Sequence, residues 1–311
     1  MLSHGQLRSI QLFYCDHYEF PLPPSHKFPV RKYRLVREEL EADARFTFCP
    51  ASRAARETLL RVHEDIYVNQ FVDGTLDNAA LRRIGFPWSP ELVNRTLASV
   101  GGTLLAADAA LTSGVGGTLA GGTHHAYRAE GSGFCVFNDL AVAVAWMRAE
   151  KWVDRVAIVD LDVHQGDGTA AIFAGEPSVF TLSLHGARNF PFRKQASVLD
   201  VALPDGTHDE AYLAALKPAL EEVWNWRPDV VLFQSGVDAL AGDRLGRLAL
   251  TFEGLRQRDK LVIEGARDLR VPLLITLGGG YSDPIELTVR AHAQTFRIAA
   301  DVYVRSSSST S

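Results

Sequence analysis

Residues 156–168 read VAIVDLDVHQGDG, so a run of branched apolar residues leads directly into carboxylates, an imidazole and glycines. An apolar run this short and continuous is typical of a strand that is buried on both faces, as in a parallel sheet covered by helices. Polar residues that follow such a strand lie at the carboxyl edge of the sheet, where α/β proteins bind their ligands. The stretch therefore predicts both an α/β fold and the place of its functional site.

The same pattern recurs along the chain, where short apolar runs alternate with longer amphipathic stretches. Right-handed crossovers between parallel strands place helices on both faces of such a sheet. The sequence therefore predicts a single-domain, three-layer α/β/α fold with a mainly parallel sheet over residues 1–305, followed by a disordered tail at 306–311. Strands are expected at 12–15, 156–161, 179–184, 230–234 and 273–277, and helices at 92–112, 140–150, 209–226, 252–269 and 285–300.

Composition narrows the function classes. The 311 residues carry a formal net charge of -5, which argues against nucleic acid as a main partner, because phosphate binding needs a basic face. No apolar run reaches the roughly 18 residues of a membrane-spanning helix, and residues 1–10 lack a secretory apolar block. The cysteines, Cys15, Cys49 and Cys135, are too few and too scattered for a disulfide scaffold. We therefore expect a cytoplasmic protein.

The segment after the 156–161 strand has the composition of a metal site. In extended backbone the side chains of Asp160, Asp162 and His164 point to the same side of the strand. Buried carboxylates are costly unless a positive charge lies among them. Carboxylate oxygen with imidazole nitrogen is an ordinary zinc ligand set. The alternative is a capping and turn cluster, which Asp and Gly also favour.

Three other loops offer the remaining groups of a hydrolytic site. His124 and His125 follow two glycines and could supply a general base near neutral pH. Asp243 could complete a three-ligand zinc site with an open position. Tyr281 follows three glycines and could donate a hydrogen bond to an oxyanion. Each loop also has a purely structural interpretation. The two histidines could lie at the surface, Asp243 could be a turn residue paired with Arg244, and Tyr281 could be a packing residue.

The ordered motifs resemble one family, the zinc-dependent histone deacetylases, which have an arginase-like α/β fold. The resemblance extends to about residue 300, and within the family the segments AGDRLGRLAL and TFEGLRQRD look most like class IV and its bacterial relatives. The motifs that carry it are GGTHHA (121–126), GSGFCVFND (131–139), DLDVHQGDG (160–168), VDALAGDRLG (237–246) and GGGY (278–281).

The resemblance implies a role for each matching position. Zinc would be held by Asp162, His164 and Asp243.

In the catalytic group, His125 would be the general base and acid, and Asp167 would orient it. His124 would be a second imidazole, hydrogen-bonded to Asp160. Tyr281 would supply the phenol that polarises the substrate carbonyl.

The resemblance also implies a substrate tunnel and a second cation. Gly133 and Phe134 would form one wall of an acyl-lysine tunnel. Phe190 or Phe192 would form the opposite wall, although GARNFPF (186–192) departs from the usual family pattern. Family members bind a structural potassium ion as well, and the corresponding positions here are Asp160, Asp162, His164, Ser183 and Leu184.

Taken together, these features predict a zinc-dependent hydrolase that removes acetyl or long-chain fatty acyl groups from lysine side chains of a protein or peptide. For the longer chains, space beneath the metal would come from the glycines of 114–120 and 278–280. One alternative is a deacetylase of small acetylated amines such as polyamines. A second is a binuclear manganese ureohydrolase, although Gly166 stands where that chemistry commonly has another aspartate.

Overall fold

The strands of the protein all run parallel in one sheet. The structure, a computed structural model, describes residues 7–304, so the tail predicted at 306–311 lies outside the described residues. The strands are β1 (Ile10–Tyr14), β2 (Phe46–Pro50), β3 (Val115–Thr118), β4 (Val156–Asp160), β5 (Val179–Gly186), β6 (Leu199–Leu203), β7 (Val230–Gln234) and β8 (Leu273–Thr276). Across the sheet their order is β2-β1-β3-β8-β7-β4-β5-β6.

Burial explains which strands the sequence predicted. Every residue of β4, β7 and β8 is buried, because helices cover both faces of the sheet centre. The edge strands β2 and β6 are only partly buried and carry no continuous apolar run, so the sequence analysis missed them. It also missed β3, which reads VGGT. A Cβ atom on Gly116 would lie 2.3 Å from the Ala106 carbonyl oxygen, and one on Gly117 would lie 2.7 Å from the Phe296 ring. These glycines permit close helix packing and open no acyl channel.

Helices pack on both faces of the sheet, which confirms the predicted three-layer α/β/α architecture. The helices are α1 (Lys32–Leu40), α2 (Arg56–Leu59), α3 (Asp65–Val72), α4 (Asn78–Ile84), α5 (Pro90–Ser113), α6 (Asp139–Ala149), α7 (Asp167–Ile172), α8 (Asp209–Asn225), α9 (Phe252–Asp268) and α10 (Ile285–Tyr303). One layer contains α1, α8, α9 and α10, and the other contains α5 and α6.

The five predicted helices and the five predicted strands are confirmed, with ends that differ by no more than three residues. Local signals explain this accuracy for α5. The Ser89 side chain accepts a hydrogen bond from the Leu92 N–H, Pro90 occupies the first turn, and Gly114 ends the helix with a left-handed φ of 89°. The helices that were missed, α1 to α4 and α7, are short and lack a long amphipathic period.

Candidate active site

Four loops at the carboxyl edge of the sheet converge on one cavity. They follow β3, β8, β7 and β4, which are consecutive neighbours in the sheet. The cavity encloses about 640 Å³, and its wall includes His124, His125, Asp162, His164 and Tyr281. Parallel strand order therefore brings together side chains that lie far apart along the chain.

One cluster of buried side chains near this wall can hold a metal ion. Asp162, His164 and Asp238 each offer a ligand atom, and these atoms lie within 4.8 Å of one another. The Nδ1 atom of His164 lies 3.0 Å from Oδ1 of Asp162 and 3.1 Å from Oδ2 of Asp238. Burial alone would lower the pKa of His164, but both carboxylates outweigh it and raise the pKa to about 10. A divalent cation binds such a donor set because it replaces the proton that the three groups share.

Asp243, the predicted third zinc ligand, lies outside this group of three. Its Oδ1 atom accepts hydrogen bonds from the backbone N–H groups of Leu245 and Gly246, at 2.9 and 3.0 Å. Its Oδ2 atom accepts a 2.6 Å hydrogen bond from the backbone N–H of Tyr281. The structure thus places Asp243 against the GGGY loop, while Asp238, which the sequence analysis did not select as a ligand, lies against His164.

The GGGY loop ties the two carboxylates of the predicted ligand set together. Oδ2 of Asp162 accepts a 2.7 Å hydrogen bond from the Gly279 N–H, two residues before the bond from Tyr281 to Asp243. A Cβ atom on Gly279 would lie 2.0 Å from Oδ2 of Asp238 and 2.7 Å from Oδ2 of Asp162. Only glycine therefore allows this loop to approach the carboxylates so closely.

Two His–Asp pairs stand beside the metal-ligating group, as the sequence analysis predicted. Nδ1 of His124 lies 2.7 Å from Oδ2 of Asp160, and Nδ1 of His125 lies 2.6 Å from Oδ1 of Asp167. Because an ionised carboxylate only accepts, each Nδ1 carries a proton and donates it to the carboxylate. The Nε2 atom of each ring is therefore the position that gains or loses a proton. Tyr127 also donates to Asp167, at 2.9 Å, and holds the orienting carboxylate in place.

The environment drives the two histidines to opposite protonation states. Burial and the positive charge of His124 lower the pKa of His125 to about 4. Burial opposes charge on His124 as well, but the carboxylates of Asp160 and Asp162 outweigh it and raise its pKa to about 9. Neighbouring titratable groups whose pKa values are driven apart are characteristic of acid–base sites. His125 is therefore neutral near pH 7, with Nε2 available as a base.

The phenol of Tyr281 faces the same cavity. Burial and the charges of Asp162 and Asp238 raise its pKa well above the ordinary value, so the hydroxyl keeps its proton and can donate. Lys32 supports the loop from behind: its Nζ donates a 2.8 Å hydrogen bond to the Gly278 carbonyl and lies 5.3 Å from the Tyr281 ring centroid. Lys32 was not predicted as a site residue, because nothing in its local sequence indicates a buried lysine.

Aromatic side chains form the approach to the site. Phe134 has a left-handed φ of 66°, and a Cβ atom on the preceding Gly133 would lie 2.7 Å from the His125 ring. The Phe190 ring packs edge-on against His125 with centroids 4.9 Å apart. Phe192 is 86% exposed at the rim. Of the two predicted wall candidates, the structure brings Phe190 to the His125 imidazole and leaves Phe192 at the surface.

Part of the cavity wall comes from segments outside the predicted motifs, and these segments pack against Phe134. Phe28, Phe86 and Phe134 contact one another with ring centroids between 4.8 and 5.4 Å apart. Arg95 of α5 and Tyr33 of α1 also contribute to this part of the wall. Neither Phe86 nor Arg95 was predicted from the sequence, because their neighbours along the chain are ordinary helix and loop residues.

Comparison with known proteins identifies the fold and its family. A family model described as the histone deacetylase domain matches residues 26–296, a range that contains all four active-site loops. The chain belongs to the histone deacetylase family. An uncharacterised protein of Picosynechococcus sp. is 45% identical to this histone deacetylase homologue over 295 residues, covering 93% of this chain and 98% of its own length. Histone deacetylase 2 of Arabidopsis thaliana is 29% identical over 295 residues, covering 88% and 75%.

Solved structures agree with the family assignment at the level of the fold. A histone deacetylase homologue crystallised with SAHA superimposes with a TM-score of 0.81 at 24% identity, over 96% of this chain and 86% of that chain. A homologue from Aquifex aeolicus gives a TM-score of 0.80 at 24% identity, over 94% and 84%. They confirm the three-layer arginase/deacetylase-like fold for this deacetylase homologue. Across residues 7–304, each helix is too short or too polar to cross a bilayer.

Proposed function

We propose that this protein is a zinc-dependent hydrolase that removes acyl groups from lysine side chains. The observation that carries the proposal is the convergence of a neutral, Asp167-oriented His125 and a protonated Tyr281 on a cavity that also borders Asp162 and His164. Base, hydrogen-bond donor and metal ligands are the groups that metal-assisted amide hydrolysis needs in one place. Membership of the histone deacetylase family supports the same reaction class.

The donor set fits zinc. Asp162 and His164 supply carboxylate oxygen and imidazole nitrogen from one strand end, and both are at most 9% exposed. For the third ligand we retain Asp243, because its Oδ2 is bonded to the same GGGY loop as Oδ2 of Asp162. Asp238 then holds His164 from the other side. Within residues 7–304, Asp162, His164 and Asp238 form the one cluster of three or more potential metal ligands, which argues against a binuclear manganese ureohydrolase.

The protein's own residues account for the proton transfers. Bound zinc would supply Lewis acidity, lowering the pKa of a water to about 7. His125 would accept a proton from the water that attacks the amide carbonyl, while Tyr281 would donate a hydrogen bond to the carbonyl oxygen. The same imidazole then transfers the proton to the leaving amine, which departs as the C–N bond breaks. Asp167 keeps the His125 ring oriented throughout.

The proposal also specifies the substrate, an acyl-lysine side chain. The aromatic approach formed by Phe134 and Phe190 suits the methylene chain of an acyl-lysine. The class IV resemblance favours acyl groups longer than acetyl. Space for them would lie beside Phe28 and Phe86 in the cavity wall. We place the protein in the cytoplasm, with its substrate.

A structural potassium site also belongs to the proposal. Asp160 of β4 and Ser183 of β5 are paired in register, so a carboxylate and a hydroxyl are adjacent on neighbouring strands. Backbone oxygens of Asp162, His164 and Leu184 would complete it. Ser183 Oγ lies 3.0 Å from His185 Nδ1, a contact compatible with an oxygen that accepts from the ring and also binds a cation.

The test is a comparison of substrates on the zinc-loaded protein. We expect kcat/KM to be higher for acyl-lysine peptides than for an acetylated polyamine, and measurements with acetyl-lysine and myristoyl-lysine peptides fix the chain length. His125→Ala provides the background rate. Equal or better turnover of the acetylated polyamine would replace the lysine proposal, and two manganese ions per chain in the active protein would overturn the zinc assignment.

A further inference from the structure

Positive charge is concentrated at the mouth of the catalytic cavity. Five exposed basic side chains, here called the basic rim, contribute to the cavity wall: Lys27, Arg82, Arg83, Arg188 and Arg247. Among the described residues of that wall, Asp162 is the single carboxylate, and it is buried. The whole chain nevertheless carries a formal net charge of -5. The acidic residues therefore lie elsewhere, and the positive charge is a local property of the mouth.

One side of the basic rim is fixed to the segment that carries Phe134. The Phe134 N–H donates a 2.8 Å hydrogen bond to the Ile84 carbonyl, and the preceding N–H, of Gly133, donates at 3.2 Å to the Arg83 carbonyl. The carboxyl end of α4, with its two arginines, therefore lies directly against the tunnel wall. His26 Nε2 lies 2.8 Å from the carbonyl of Gly85, which places the neighbouring Lys27 on the same side.

The other side of the basic rim lies beside Phe190. The Asn189 side chain donates a 2.8 Å hydrogen bond to the Leu245 carbonyl, which joins the segment of Arg188 to the segment of Arg247. Both arginines reach the same carboxylate, Asp205, at 3.6 and 3.3 Å. The cations thus stand on both sides of the aromatic approach to His125.

The protein neutralises only part of this charge. Arg83 pairs with Glu130 at 3.1 Å, and Asp205 is shared between two arginines. Within residues 7–304, Lys27 and Arg82 have no acidic partner within 4.0 Å. Ion pairs between exposed side chains are weak and exchange readily with other partners. The mouth therefore keeps an excess of positive charge that an anionic ligand can neutralise.

We infer that the basic rim recognises acidic residues that flank the acyl-lysine of a peptide substrate. The inference rests on the proposed function, because an acyl-lysine that reaches His125 between Phe134 and Phe190 leaves its neighbouring residues at the mouth. Charges of opposite sign steer such a segment to the cavity and fix its register there. The rim thus selects the sequence around the lysine and takes no part in the chemical step.

The arrangement of the cations favours a peptide over other ligands. An acetylated polyamine retains protonated amines, and a lysine-rich protein tail carries several positive charges, so the rim repels both. A compact phosphate group is held by donors that converge on one point. Here the cations are divided between the Phe134 side and the Phe190 side of the mouth, as an extended chain lying across it requires.

The experiment compares three peptides of equal length that contain the same central acyl-lysine. Its flanking positions are glutamates, glutamines or lysines, and kcat and KM are measured on the zinc-loaded protein at low and high salt. Binding of the same peptides to His125→Ala, measured by fluorescence anisotropy, reports on the rim without turnover. The test variant combines Lys27→Gln with Arg82→Gln, which leaves no carboxylate unpaired. The control, Lys217→Glu, changes the net charge by the same amount at an exposed position of α8 outside the cavity wall.

We expect kcat/KM at low salt to be about tenfold or more higher for the glutamate peptide than for the lysine peptide, with most of the difference in KM. In 1 M salt, where the Debye length is about 3 Å, the ratio should fall below about twofold. The combined Lys27→Gln and Arg82→Gln variant should reduce the low-salt ratio to about threefold or less. Lys217→Glu should keep the ratio of the parent, because its charge lies away from the mouth.

Equal or faster turnover of the lysine peptide overturns the inference, and so does a preference that survives both high salt and the combined variant. Inhibition by inorganic phosphate with equal turnover of the peptides would assign the rim to a phosphate ligand instead. Failure of the proposed function is a different result. A protein that hydrolyses all three peptides equally keeps its function and loses this specificity. If none is hydrolysed but His125→Ala binds the glutamate peptide most tightly, the rim stands and the activity does not.

Discussion

Asp238 Oδ2 lies 3.1 Å from Nδ1 of His164, although 74 residues separate the two along the chain. The other oxygen of Asp238 accepts a 2.9 Å hydrogen bond from the Val163 N–H. The carboxylate therefore contacts both the backbone of the segment that follows β4 and the imidazole of His164. A carboxylate in this position either binds the metal directly or holds the ligand that does. The distinction can be measured, because the chain offers a second aspartate, Asp243, five residues away on the same loop.

The first prediction compares Asp243→Asn with Asp238→Asn. We expect Asp243→Asn to lose zinc during dialysis, because a direct ligand is removed. Asp238→Asn should weaken zinc binding by about 10- to 100-fold, the usual effect of losing a group that orients a ligand. Zinc per chain after dialysis, measured against a chelator series, separates the two. If Asp243→Asn keeps zinc and Asp238→Asn loses it, Asp238 is the third ligand.

The second prediction concerns the phenol. Tyr281→Phe should lower kcat by about 100- to 1,000-fold, because a donor to the developing oxyanion is lost while packing is conserved. Its zinc content should stay at the parent level. Tyr18→Phe, which removes a hydroxyl outside the cavity wall, should leave kcat unchanged. A Tyr281→Phe protein that turns over at the parent rate would show that the phenol takes no part in the reaction.

Local backbone geometry explains why part of this site could be predicted from the sequence. Strand periodicity alone predicts that Asp160, Asp162 and His164 share one side of an extended segment, and all three lie close together at the end of β4. The His–Asp pairs were predicted from ordered motifs, and their distances show that the partners meet. Short-range spacing was sufficient for the first group, whereas the pairing of each histidine with an aspartate 36 or 42 residues away was implied by the family resemblance.

Tertiary packing decided what the sequence could not predict. Lys32 and Arg95 lie on helices whose sequences resemble ordinary surface helices, yet the aromatic residues around Tyr33 bury both. Asp238 and Asp243 carry the same local signal, a turn aspartate, so spacing alone could not say which would lie against His164. Such choices depend on how loops from β7 and β8 dock, which is a long-range property of the sheet.

The third prediction tests the tunnel wall with a matched pair. Phe190 packs against His125, whereas Phe192 is exposed, although the two are only two residues apart. Phe190→Ala should raise KM for an acyl-lysine peptide about tenfold, because apolar surface that covers the substrate chain is removed. Phe192→Ala should change KM by less than about twofold. Equal effects of the two substitutions would contradict the assignment of Phe190 as the wall.

The last prediction concerns stability in acid and a histidine outside the catalytic group. His63 is buried, its Nε2 accepts a 2.9 Å hydrogen bond from the Asn138 N–H, and its Nδ1 lies 2.9 Å from the Tyr127 carbonyl. Nε2 is therefore unprotonated and Nδ1 donates. Burial lowers the pKa of His63 to about 4. Asn138 caps α6 and donates to the Ala126 carbonyl, so the His63 ring helps to position the loop that carries His124 and His125.

The sign of the pH dependence follows from this lowered pKa. In the unfolded chain His63 takes up its proton near pH 6.5, and in the folded protein only near pH 4. Between those values the unfolded state binds more protons, so the free energy of unfolding falls as the pH is lowered through this window, by up to about 3 kcal/mol. Urea unfolding at intervals from pH 7 to pH 4 measures the slope. His63→Gln should flatten it, whereas His17→Gln, at an exposed position, should not. A slope that is unchanged in His63→Gln would show that other groups govern acid unfolding.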